Sequence, residues 1–121
     1  MLVGMEPRPS LTHSQEKHMT HVLRAHGLFP TAIEAVGRMQ QGLCDEMRTA
    51  GGDDAFQVWE DLMEVDRLQK ALDGGACLTT HQRRVLVAAC TLRKGALNVV
   101  RPGALAQRVM DDCDKIIELI G

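Results

Sequence analysis

The segment 53–73 places the strongest constraint on the fold of this chain, because its apolar residues repeat with helical spacing on two faces. At about 100° per residue, one stripe and one separate patch together cover more than half of the helix. One helix contact covers only about a 100° stripe, so such a helix needs more than one neighbour. We expect the central helix of a small bundle or a helix shared with a partner. The stripe comprises Val58, Leu62, Val65, Leu68 and Leu72, and the patch comprises Phe56, Trp59 and Met63.

The composition of the 121-residue chain predicts one all-helical domain. Tyrosine is absent, there are two Phe and one Trp, and β-branched residues do not alternate with polar ones. A chain of this length buries roughly 65% of its unfolded surface, which is enough for one core. We therefore expect a compact bundle of about five helices over residues 11–121. Residues 1–10 are predicted to be a flexible arm, because Pro7 and Pro9 disfavour helix.

Local signals predict where the helices begin and end. Thr12 with Gln15, Asp54 with Gln57 and Thr79 with Gln82 have the spacing of a capping box. Pro30 suits a first turn, while Gly27 and the pair Gly74–Gly75 accept the left-handed geometry that ends a helix. Helix 4 is expected to weaken around Gly95 or to run on to Asn98, and Arg101–Gly103 breaks it.

Two glycines are predicted to lie inside helix 2, at positions 37 and 42. Each costs about 1 kcal/mol relative to alanine in a helix interior. Either another helix approaches closely there or the glycines are simply tolerated.

Helices 4 and 5 each show an amphipathic pattern. Helix 4 is expected to turn Val85, Leu86, Ala89 and Leu92 inward and Arg83, Arg84, Arg93 and Lys94 outward. The predicted inner stripe of helix 5 is Leu105, Val109, Cys113, Ile116, Ile117 and Ile120. Because Ile116, Ile117 and Ile120 add apolar area beyond what four helices must bury, we predict a twofold homodimer through them. The alternative is that helix 5 docks within one subunit.

No motif for catalysis or for a cofactor accompanies these helices. The only serines are Ser10 and Ser14, both near the predicted arm, so no serine nucleophile is indicated. The four cysteines have no Cys-x-x-Cys spacing and are expected to be free, buried thiols. His18 and His21 share a helix face, but two imidazoles do not complete a metal site. We expect no enzyme, no cofactor and no metal, and the lack of a signal core or an apolar span predicts a cytoplasmic protein.

Charge is segregated along the chain, since residues 53–73 carry seven acids and two bases while residues 78–108 carry six bases and no acid. Either the two segments pack with their charged rims facing, or one of them faces a partner. The basic segment 83–108 also raises the possibility of a DNA-binding helix-turn-helix. Two features disfavour that motif. The connection 98–103 is longer than the turn of a helix-turn-helix, and the acidic outer face of helix 5 would repel the phosphates of DNA.

The runs His81–Leu86 and Arg101–Leu105, in a small helical chain, resemble the anti-activators that hold LuxR-type quorum-sensing regulators inactive. The resemblance implies a homodimer that covers the dimerisation surface of a transcription activator and so keeps it from DNA. It carries no individual binding residue over to this chain.

The functional prediction is a non-enzymatic regulatory protein that binds another protein. Phe56, Trp59 and Met63 are the candidate interface, either with a second subunit or with a regulated target, because an aromatic anchor ringed by charge is typical of an interface centre. The competing interpretation places Trp59 in the core, against helix 1 or helix 2. A small DNA-binding protein and a general interaction adaptor are the alternative functions, followed by an unrecognised enzyme or metal protein.

Overall fold

The computed structural model describes residues 13–98 and 103–121, with side chains from Met19 onward. Five α-helices and no strand are found in these ranges, which confirms the predicted all-helical bundle. The predicted arm 1–10, the Thr12 cap and Arg101 lie outside the described residues. The helices are α1 (His13–Ala25), α2 (Phe29–Thr49), α3 (Gly52–Gly74), α4 (Thr80–Asn98) and α5 (Ala104–Ile120).

Most of the predicted helix ends are confirmed by their hydrogen bonds. The Thr79 backbone N–H donates to Gln82 Oε1 at 2.9 Å, and the Gln82 N–H donates to Thr79 Oγ1 at 3.0 Å, so α4 begins with a capping box. Gly27 and Gly75 have φ values of 70° and 68°, as required of left-handed residues that close a helix. Leu28, which follows Gly27, donates back to the Leu23 carbonyl at 2.8 Å and is buried.

The predicted Asp54 cap of α3 is wrong. The helix begins at Gly52, and its N-cap residue, Gly51, forms no side-chain hydrogen bond to the helix. Asp53 and Asp54 consequently lie inside the first turn, where a carboxylate stabilises the positive end of the helix dipole.

The central helix is α2, and the prediction that α3 is central is wrong. α2 packs against each of the other four helices, whereas the main neighbours of α3 are α2 and α4. Ala32, Ala35 and Val36 are almost completely buried on α2, and these short side chains leave room for neighbours on several sides. Around them the core gathers the long side chains Leu23, Leu68, Leu72, Leu78, Leu86 and Ile116.

Only part of the α2–α3 hairpin takes part in this core. Apart from Val58, no residue between positions 37 and 64 is buried, although Met39 and Leu43 pack against the core from its edge. The core residues of α3 lie in its second half, from Val65 to Leu72. The carboxyl half of α2 and the amino half of α3 therefore expose most of their surface, including apolar side chains.

The buried face of α4 is rotated from the predicted one. Leu86 and Ala89 are buried as expected, but Leu92 is 61% exposed and Cys90 is fully buried. Arg93 takes a position on the core side, with its side chain only 13% exposed, because its Nε atom pairs with Glu34 Oε1 at 3.3 Å. The outward assignment of Arg93 and the inward assignment of Leu92 are thus both wrong.

On α5 the predicted stripe holds at every position except Leu105, and Val109 packs against the core. Leu105 is 76% exposed, because it lies in the first turn and at the edge of the apolar stripe, while Met110 is buried instead. Cys113, Ile116 and Ile120 are buried against the other helices, and Ile117 packs against them. α5 therefore docks within the single chain.

Glycines 37, 42 and 95 all lie inside helices, and α4 runs through Gly95 to Asn98. A Cβ atom added at any of the three would meet no atom within 4 Å outside its own turn of helix. The close-approach interpretation of Gly37 and Gly42 is therefore wrong, and simple tolerance is the correct one.

Candidate functional site

The first candidate surface is the aromatic patch, which we define as Phe56, Trp59 and Met63 on α3. These side chains are 60%, 48% and 37% exposed. The ring centroids of Phe56 and Trp59 lie 6.2 Å apart, with planes inclined by 29°. The remaining aromatic residue, Phe29, packs against the core. Both exposed aromatic rings of the described residues thus belong to this patch.

The aromatic patch lies opposite the side of α3 that faces the core. At about 100° per residue, Trp59 is roughly 160° from the middle of the buried stripe. The interpretation of Trp59 as a core residue against helix 1 or helix 2 is therefore wrong. Farther along the same surface the helix is charged, with Lys70 Nζ 2.9 Å from Asp66 Oδ2 and Arg67 Nη1 3.4 Å from Glu64 Oε1.

The second candidate surface is a groove, which was not among the predicted sites. It has a volume of about 620 Å³ and lies between α2, α3 and α4. We call it the α4 groove, because α4 supplies half of its apolar lining residues. Its apolar lining is Ala35, Met39, Gly42, Leu43, Val65, Val85, Ala88, Ala89, Leu92 and Ala96.

The α4 groove is acidic at one end and basic at the other. At the acidic end are Glu46, Asp61 and Glu64, of which Glu64 Oε2 lies 3.2 Å from His81 Nε2. At the basic end are Arg38 and Arg93.

The acidic and basic ends of the groove lie apart because α2 and α4 run antiparallel, so that each end of the groove joins the start of one helix to the end of the other. Glu34, near the start of α2, pairs with Arg93, near the end of α4. His81, at the start of α4, shares the groove with Glu46, near the end of α2.

A spacing in the sequence of α4 does point to this groove. Val85, Ala88, Leu92 and Gly95 recur at intervals of three and four residues, the pattern of a helix face that packs against another helix. This face is distinct from the one that carries Leu86 and Cys90, so α4, like α3, has two apolar faces. The small size of its alanine and glycine members hides it from a search for large apolar residues.

The predicted interface residues of α5 are not at the surface. Ile116 and Ile120 are 0% and 3% exposed, and the half-buried Ile117 packs against the same core. Their apolar area is used within one chain, so the argument for a homodimer through these three residues is wrong.

The segregated charges pair only in part as expected. α3 and α4 do pack together, and the pair of His81 and Glu64 joins them. The cationic side chains Arg93 and Lys94 of α4 pair with other helices, Arg93 with Glu34 on α2 and Lys94 with Asp114 on α5. These contacts also reduce the positive surface that the segment 83–108 offers to nucleic acid.

All four cysteines are free thiols as predicted, but the prediction that they are all buried is wrong. Cys44 is exposed, Cys77 is partly exposed, and Cys90 on α4 and Cys113 on α5 are buried. Burial, reinforced by the neighbouring Cys113 thiol, raises the pKa of Cys90 from 9.0 to about 12. Burial also raises the pKa of Cys113. Both core thiols stay protonated and unreactive near neutral pH.

We expect the stability of the fold to decline as the pH rises above about 9, because these core thiols must ionise on unfolding. The folded-state pKa of Cys90 is raised, so its contribution is complete below pH 9.0 and is lost as the pH rises toward about 12. Urea unfolding at a series of pH values measures the decline. The variant Cys90→Ala should show a shallower decline than the wild type, and an equally steep one would contradict this assignment.

Neither a metal site nor a membrane span is found among the described residues. No group of three or more His, Cys, Asp and Glu side chains there is arranged to hold a metal ion. No described helix is both long enough and apolar enough to cross a bilayer.

In the part of the chain that the structure describes, the fold and its surfaces define a small helical bundle with two exposed apolar surfaces, the aromatic patch and the α4 groove. No protein-family model matches this chain, and no curated protein or solved structure shows significant similarity to it. The resemblance to anti-activators of LuxR-type regulators stays a prediction.

Proposed function

We propose that this chain is a non-enzymatic regulatory protein that binds another protein through the aromatic patch. The observation that carries the proposal is the exposure of Phe56, Trp59 and Met63 on the face of α3 that points away from the core. Trp is the side chain that most often dominates the energy of a protein interface, and Met adapts its shape to a partner. Exposing these side chains to water without a partner is unfavourable by about 25 cal/mol for each Å² of apolar surface.

The partner we propose is a transcription activator of the LuxR type, encountered in the cytoplasm. Support for this choice is the resemblance carried by the runs 81–86 and 101–105. In this proposal the regulator covers the surface through which the activator dimerises, and a monomeric activator loses the two-site contact that holds a dimer on its DNA. The homodimer of the regulator itself stays a prediction, and two of the residues predicted to form it, Ile116 and Ile120, lie in the core.

DNA binding by the segment 83–108 is the second candidate. It is disfavoured because Arg93 and Lys94 already pair with carboxylates of the chain, and Asp111 and Asp114 on α5 expose negative charge that phosphates repel. Binding to duplex DNA that weakens steeply with added salt would favour this candidate over the aromatic patch.

The experiment that tests the proposed function compares Trp59→Ala with Leu105→Ala. Both side chains are exposed, but Leu105 lies on α5, outside the aromatic patch. We expect Trp59→Ala to weaken binding to a purified LuxR-type activator by about 30-fold or more, as a Trp at an interface centre does. Leu105→Ala should bind like the wild type.

Two readouts make this comparison decisive. Calorimetry measures the affinity for the activator, and release of the activator from its operator DNA measures the regulatory effect. Thermal unfolding shows whether each variant is folded, and we expect both melting temperatures to stay near that of the wild type. Equal affinity of the two variants for the activator, or a loss that follows a lowered stability, would contradict the role of the patch.

A further inference from the structure

We infer that the α4 groove is a docking site for an amphipathic helix of a partner protein, with basic residues at one end of that helix and acidic residues at the other. This site is separate from the proposed function, because the groove residues of α3, such as Val65, lie on the core side of the helix. The aromatic patch lies on the opposite side. The two surfaces can therefore be tested, and can fail, independently.

The shape and lining of the groove suit a helix. Its α4 wall extends from His81 to Ala96, which is about 22 Å along the helix axis and matches four turns of a bound helix. Val85, Ala88 and Leu92 follow one another along this wall with helical spacing. Leu92 is 61% exposed, and an apolar helix face laid in the groove would cover it. Small side chains at positions 88 and 96 let a second helix approach closely.

The carboxylates at the acidic end of the groove indicate that the bound helix carries basic residues at that end. Neither Glu46 nor Asp61 forms an ion pair with any basic side chain of the described residues. Among the described residues, Asp61 Oδ1 accepts a hydrogen bond from Gln57 Nε2 alone, at 3.1 Å. Two carboxylates are thus available to lysine or arginine residues of a bound helix.

The basic end of the groove carries more positive than negative charge. Arg38 Nη2 lies 3.7 Å from Glu34 Oε2, and Arg93 Nε lies 3.3 Å from Glu34 Oε1. Two guanidinium groups thus share one carboxylate, which leaves positive charge for an acidic residue of the partner. A helix with opposite charges at its two ends is complementary to both ends of the groove.

A second copy of this chain fits the groove less well. α4 carries Arg83, Arg84, Arg93 and Lys94 and no acidic residue. Pairing two α4 helices through their open faces would bring like charges together, which is unfavourable at an interface. The charges therefore favour a different protein as the source of the helix.

The probe for this proposal is a fluorescein-labelled peptide of about 15 residues, the length of four helical turns. It carries leucines on one helical face, two glutamates at its amino end and two lysines at its carboxyl end, charges that also favour its own helix dipole. The control peptide has the same composition with the leucines spread around the helix. Fluorescence anisotropy measures binding to the full chain, and we expect the amphipathic peptide to bind at least tenfold more tightly than the control.

Three variants of the chain locate the binding. Leu92→Asp should reduce the affinity for the amphipathic peptide at least tenfold without unfolding the protein, because Leu92 is exposed. The double variant Glu46→Lys with Asp61→Lys should also bind the amphipathic peptide more weakly. A peptide with glutamates at both ends should bind this double variant with the affinity restored. Trp59→Ala should bind the peptide like the wild type, which separates this site from the aromatic patch.

Several outcomes would overturn the proposal. One is equal binding of the two peptides, and another is unchanged binding by Leu92→Asp in a folded protein. A wild-type dimer in sedimentation equilibrium that Leu92→Asp converts to monomer would make the groove a contact between copies. An apolar small molecule retained by the wild type in native mass spectrometry, and lost from Leu92→Asp, would make it a ligand pocket.

Discussion

Leu86→Ala is expected to lower the free energy of unfolding by about 3 to 4 kcal/mol, whereas Leu92→Ala on the same helix should lower it by less than about 1 kcal/mol. Leu86 is fully buried in the core and Leu92 is 61% exposed in the α4 groove. Truncating Leu86 removes apolar burial and leaves a cavity among tightly packed neighbours, while truncating Leu92 removes a side chain that already contacts water.

Urea unfolding followed by circular dichroism measures both changes. Because the two variants share the substitution and the helix, differences in helix propensity cancel between them. A larger loss of stability for Leu92→Ala than for Leu86→Ala would mean that α4 is rotated relative to the described structure. The same result would remove the α4 groove, since Leu92 would then belong to the core.

The triple variant Gly37→Ala, Gly42→Ala and Gly95→Ala is expected to stabilise the fold by about 2 to 3 kcal/mol, the second large effect. Each glycine lies in a helix interior, where its backbone freedom in the unfolded chain opposes folding. An added methyl group meets no atom within 4 Å outside its own turn of helix, so no strain offsets the gain.

The matched control for this variant is Gly75→Ala. Gly75 has a φ value of 68°, at the left-handed end of α3, and a side chain there strains the backbone. We expect this control to be less stable than the wild type by about 1 kcal/mol, although it adds the same methyl group. Thermal unfolding of the four single variants and the triple variant distinguishes the two effects. A triple variant that melts below the wild type would show that one of these helices approaches a neighbour more closely than described.

The positions of the helices could be predicted from the sequence because the signals that start and stop a helix act over a few residues. Thr79 and Gln82 exchange hydrogen bonds across a single turn, and Gly75 adopts its left-handed geometry without help from distant parts of the chain. The exposed aromatic patch was also visible, since its three side chains lie off the main stripe of the same helix. Whether that patch is core or surface could not be read from α3 alone.

The sequence by itself thus determined the helical class, most of the helix ends and the apolar residues available for burial. The tertiary structure decided which of those residues are buried. Arg93 lies on the core side of α4 because Glu34, 59 residues away in the chain, accepts its charge, and Leu92 is left in the groove as a result. Ile116 and Ile120 are covered because α5 packs on the other helices of its own chain. Burial depends on which helices become neighbours, and residues far apart in the sequence determine that jointly through packing and charge.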